Sequence, residues 1–98
     1  MNPMDGLDIR GREVLDNEGR EIGRIDDVLT DPARLLRVEH DGLFGVGAGP
    51  LYIPADCVES VTDEQVRLDR TRVQIAGAAA YGPDTIDELL EYYRSVAQ

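Results

Sequence analysis

The sequence contains no lysine, a single cysteine, a single histidine, and no apolar run approaching the ~20 residues that span a bilayer as a helix. Each scarcity closes off a class of function. One thiol, Cys57, cannot form an internal disulfide, and without a second cysteine it cannot build a typical zinc site. It lies between Asp56 and Val58 in a strand-like stretch and reads as a small apolar filler. A nucleophilic role would need a base beside it, and His40 is the only imidazole. Met1 to Arg10 lacks the basic start and apolar core of a signal peptide, so a cytoplasmic protein with no transmembrane segment is expected. Aromatics are few as well, four tyrosines and one phenylalanine, which leaves Val, Ile and Leu to fill the core.

What the chain has in excess is negative charge. Twenty acidic residues face ten arginines, for a formal charge of −10 and a pI near 4.3. Repulsion between such a surface and a polyphosphate disfavours direct nucleic-acid binding. Arginine as the sole strong cation, combined with this acidity, is the composition expected of a GC-rich genome or of a salt-adapted cytoplasm. The 98 residues suffice for one domain with one modest core. Its expected parts are a loose arm over residues 1–8, a β-rich body over 9–76 and a helix over 84–97.

The body is read from short alternating segments between turn signals. Arg12 to Leu15 is a first strand, and Asp16-Asn17-Glu18-Gly19 a hairpin turn in which Gly19 takes the positive φ. Glu21 to Thr30 returns, but Ile22 and Val28 fall on one parity and Ile25 and Leu29 on the other. A bulge or bend near Gly23 is therefore predicted. Leu36, Val38 and His40 share one face of a third strand, Leu51 and Ile53 point inward from a fourth, and Val58 with Val61, Val66 with Leu68, and Val73 with Ile75 continue the pattern. About six strands joined by tight turns, with no crossover helix, predict a small antiparallel β-barrel, an all-β fold.

The run Asp41 to Pro54, with glycines at 42, 45, 47 and 49, invites a phosphate-loop reading. That chemistry needs a helix N-terminus directly afterwards, whereas Pro50 and a strand follow, so the segment is a hairpin. Leu43 and Phe44 at its tip are candidate anchors for a partner or a plug for the barrel end. Asp26, Asp27 and Asp31 could offer oxygen ligands to a divalent cation, but their spacing is not that of a dedicated calcium loop, so a solvated acidic surface is the favoured reading. His40 beside Asp41 suggests a general base only if a nucleophile and an oxyanion donor converge on it.

Beyond Gly82-Pro83 the period changes to that of a helix. Thr85 with Glu88 three residues later has the form of a capping box. Ile86, Leu89, Leu90, Tyr93 and Val96 make one apolar stripe, and Tyr92 flanks it. So short a helix must dock on something, either its own barrel or a second copy. Leu89, Tyr92 and Tyr93 therefore join Leu43 and Phe44 as candidate interaction residues.

With the strands placed, Gly11-Arg12-Glu13-Val14, Gly19-Arg20-Glu21-Ile22-Gly23-Arg24-Ile25, Gly42-Leu43-Phe44-Gly45-Val46-Gly47 and Leu51-Tyr52-Ile53-Pro54 together resemble the PRC-barrel family, named for the cytoplasmic domain of the photosynthetic reaction-centre H subunit. The resemblance covers roughly residues 9–76 and is strongest to stand-alone prokaryotic members. It implies a small β-barrel adaptor with no family-wide catalytic residues and no obligatory cofactor. The expectation is thus a noncatalytic interaction or scaffold module, not an enzyme, with a homodimer as its expected state. The alternative is a small-ligand or divalent-metal function built on His40, Asp26, Asp27 and Asp31.

Overall fold

The computed structural model describes residues 8–42 and 47–96. Six strands form one sheet: β1 (Glu13–Leu15), β2 (Glu21–Leu29), β3 (Leu35–His40), β4 (Gly49–Pro54), β5 (Val58–Val61) and β6 (Gln65–Leu68). Two helices follow, α1 (Arg72–Ala76) and α2 (Ile86–Ser95). The order across the sheet is β4-β3-β2-β1-β6-β5. Strands β1 to β4 form an antiparallel meander, and β5–β6 is a hairpin added on the other side of β1.

The sheet is mixed, which corrects the antiparallel expectation. β6 lies parallel to β1, with Val14 opposite Val66. Alternation of apolar residues marks a strand but carries no information on its direction. Here the chain leaves β4 at one edge, turns through a 3-10 helix at Ala55–Cys57, lays β5 at the opposite edge, and brings β6 back beside β1.

That path dictates curvature. In a flat six-stranded sheet the outer strands would stand about 24 Å apart. The step from Pro54 to Val58 can cover at most about 15 Å. The sheet must therefore curl until its two edges approach at the Pro54–Cys57 corner, in keeping with extents of 29 × 26 × 25 Å. No ladder joins β4 to β5 among the described residues, so the sheet is curled and not closed by hydrogen bonds.

The predicted irregularity in β2 is present twice. The register slips at Ile22 against β1 and at Asp26 against β3, flanking Gly23. The extra residue at Ile22 allows Ile22 and Ile25 both to be buried despite their opposite parity, and the one at Asp26 does the same for Ile25 and the partly buried Val28. Gly23 has no substitute there, because a Cβ would run into the Glu39 carbonyl of the adjacent strand. Gly19 closes the β1–β2 turn at φ +84°, as expected.

Two local expectations are corrected. Val73 and Ile75 lie in the helix α1 and not in a strand, and Val73 is the one large apolar residue exposed among those described. Thr71 caps α1 by accepting from the Gln74 N–H at 3.1 Å, while the Gln74 side chain accepts from the Thr71 N–H at 2.9 Å. Thr85, by contrast, makes no capping bond to α2. Its hydroxyl accepts from the Gly82 N–H at 3.0 Å within a 3-10 turn over Pro83–Thr85 that leads into the helix. Cys57, read as strand-borne, sits in the 3-10 corner, where it is buried.

α2 docks in cis. Leu89 and Tyr93 are buried in the same core as Val14, Leu36, Val66 and Ile75, with Ile86 and Tyr92 packed at its margin. Three bonds fix the helix: Arg70 Nη2 donates to the Tyr93 carbonyl at 3.1 Å, Gln74 Nε2 to the Val96 carbonyl at 3.1 Å, and the Tyr92 hydroxyl to the Gln74 carbonyl at 2.5 Å. No helix among the described residues is long and apolar enough to cross a membrane.

Candidate functional site

The residues singled out for chemistry do not meet. His40 is buried at the end of β3, where Nδ1 accepts from the Gly42 N–H at 3.1 Å. That bond occupies Nδ1 and leaves the ring as a local cap of the strand end. Asp26 pairs with Arg37 at 3.4 Å, and Asp27 Oδ1 accepts from the Val28 N–H at 2.8 Å. Asp31 is exposed in the bend after β2. Among the described residues no three His, Cys, Asp or Glu side chains gather as a metal site would require. Leu43 and Phe44 lie outside the described residues.

A carboxylate that the sequence reading passed over is the most buried polar side chain among the described residues. Asp16, 0% exposed, follows β1 and turns its side chain inward. Oδ1 accepts from the Glu18 N–H at 2.9 Å and the Arg20 N–H at 2.7 Å, and Oδ2 from the Arg72 N–H at 3.3 Å. It holds the β1–β2 turn closed and anchors the start of α1. An Asp opening an Asp-Asn-Glu-Gly turn predicts the first two bonds, but only the fold brings Arg72 to it.

A second cluster occupies the corner where the sheet edges meet. A cavity of about 250 Å³ is lined there by Pro54, Asp56, Cys57, Arg70 and the α2 residues Leu90, Tyr93 and Arg94. Burial pushes the Cys57 thiol up to about 12, against the opposing pull of the Arg70 cation. A thiol held neutral in this way is a poor nucleophile. Burial likewise pushes up the Tyr93 phenol, whose hydroxyl has no hydrogen-bond partner among the described residues. Arg70 is ion-paired with Asp69 as well as bonded to α2. The cluster thus serves as the seal between α2 and the corner.

The third feature faces outward. Tyr81, Asp87, Glu88, Glu91, Tyr92 and Ser95 line a groove of about 570 Å³ between the α1–α2 connection and the outer face of α2. The Tyr81 and Tyr92 rings lie 5.9 Å apart at 45°, and Tyr92 meets Tyr93 edge-on at 5.5 Å. Tyr92 is held from below: its hydroxyl is bonded to Gln74, and Gly77 leaves room for the ring where a Cβ would collide with that hydroxyl. Asp87, Glu88 and Glu91 rise around these rings. Arg94 neutralises part of this charge by pairing with Glu91 at 2.8 Å, with both side chains largely exposed. Of the five interaction candidates, Leu89 and Tyr93 are thus internal fastenings of α2, and Tyr92 contributes to an open surface. Tyr81 was missed because it stands in a glycine- and alanine-rich connection with no period of its own.

No curated protein matches the chain. Residues 10–76, the whole sheet with α1, match the family DUF2171, described as an uncharacterized protein conserved in bacteria. The groove on α2 lies beyond the matched segment. The curled sheet, its corner and the turn anchored by Asp16 are therefore the parts through which this chain belongs to that bacterial family.

Proposed function

We propose that this protein is a noncatalytic interaction module of PRC-barrel type, acting in the cytoplasm, and that it meets its partner through the outer face of α2. The observation that carries the reading is the groove beside Tyr81 and Tyr92. It offers rigid aromatic surface, the kind of area that anchors protein interfaces at low entropic cost, on a helix already fixed to its own sheet. The barrel assignment draws support from the three-residue link between the outer strands, which forces the sheet to curl. His40 is bonded to neighbouring backbone, and Asp16 ties the β1–β2 turn to the start of α1, which suits a scaffold whose polar groups hold turns in place.

The test is site-specific photo-cross-linking in native bacterial cytosol. A benzoylphenylalanine at position 95, in the groove, is expected to give a discrete heavier adduct, and the same probe at the exposed position 60 on β5 is not. Equal or absent adducts from both positions would remove the interaction reading.

A further inference from the structure

We infer that the occupant of the α2 groove is a basic segment of a partner protein, with an arginine or lysine side chain laid on the Tyr81–Tyr92 rings. This rests on the interaction reading and adds the chemistry of the partner. The groove combines two elements that together select a cation. Its floor is aromatic, and a ring face attracts a guanidinium or ammonium within about 6 Å of its centroid. Its rim is anionic: Asp87 and Glu88 stand four and three residues before Glu91 on one helix. Like charges at such spacings destabilise a helix. A cation seated between them relieves a repulsion that Arg94, paired to Glu91 alone and largely exposed, only partly offsets.

Long-range charge acts in the same direction. A chain of net charge −10 attracts a cationic segment from a distance, and the groove converts that attraction into a fixed contact. An acidic or phosphate-bearing partner would meet three carboxylates at the rim. A second copy of this chain is the weaker candidate. Its arginine surface, Arg10, Arg12 and Arg24, shares one depression with Glu13, Asp63 and Glu64, which dilute the positive charge.

The experiment uses the full chain and a short fluorescein-labelled peptide carrying three arginines, read by anisotropy at physiological salt. A lysine version and a glutamine version serve as comparisons. The arginine peptide is expected to bind, the lysine peptide more weakly, and the glutamine peptide not at all. Tyr81→Leu, and separately Glu88→Gln with Glu91→Gln, are expected to weaken binding about tenfold. Tyr81→Phe should retain it, which separates loss of the ring from loss of the fold. Asp63→Asn with Glu64→Gln, the same charge change on the β5–β6 turn, is expected to alter it by less than about twofold.

Equal losses from the two double variants would reduce the effect to bulk charge attraction and overturn the inference. So would equal binding of the glutamine peptide. A dimer in sedimentation that dissociates on Tyr81→Leu would assign the groove to a second copy instead. If the cross-link from position 95 persists while the arginine peptide fails to bind, the interaction module stands and the basic partner is excluded.

Discussion

The Tyr93 hydroxyl is buried with no hydrogen-bond partner among the described residues. A buried hydroxyl without a partner forfeits about 1–3 kcal/mol of hydration. Tyr93→Phe keeps the ring in the core and removes the orphan, so it is expected to raise stability by about 1 kcal/mol in urea unfolding. A decrease would mean that the oxygen is bonded after all. The same change carries a pH signature. Both Cys57 and Tyr93 have raised pKa values in the folded chain, so the stabilisation they represent is complete below the ordinary thiol and phenol values. It is lost as pH climbs from about 9, where the unfolded thiol begins to ionise, toward about 12, where the folded thiol follows. Tyr93→Phe should therefore also flatten the alkaline decline, while the thiol's share remains.

At the scale of elements, strands proved more legible than their arrangement. Alternating Val, Ile and Leu mark β1 to β6, and the opposed parities of Ile22 and Ile25 disclose the irregularity in β2 from the sequence alone. The parallel pairing of β1 with β6 was not legible, because it is set by where the chain crosses and not by which residues alternate. Val73 and Ile75 mislead for a related reason: two apolar residues at i and i+2 in a five-residue helix imitate a strand. Thr71 and Gln74, spaced as a capping box, were the correct signal. The groove could be half anticipated from the Tyr92-flanked stripe, yet Tyr81 reaches it only through the folded connection. Asp16 joins two of these elements and gives a measurable handle. Asp16→Ala strands three backbone N–H groups and is expected to cost about 3 kcal/mol by urea midpoint. Asp16→Asn, which keeps a carbonyl acceptor, should cost distinctly less. Equal losses from the two would show that side-chain volume, and not the bonds, is what the turn and α1 depend on.

For the molecule as a whole, net charge is the governing quantity. Ten excess negative charges on a body about 29 Å in its longest dimension repel one another in the compact state more than in the expanded one. Added KCl should therefore raise the melting temperature, with most of the gain below about 0.5 M, since the screening length is already near 10 Å at 0.1 M. A gain that instead continued linearly to molar salt would point to exclusion of salt from apolar surface as the cause. An unchanged melting temperature would show that the carboxylates are far enough apart for the fold to ignore them.

The three residues at Ala55–Cys57 that connect one outer strand to the other have a mechanical meaning. An ordinary sheet can be unrolled from a rim, one strand at a time. Here each rim is stitched to the other by covalent chain, so loosening either one drags on both. The two edges are therefore expected to open together, though no hydrogen-bonded ladder joins them among the described residues.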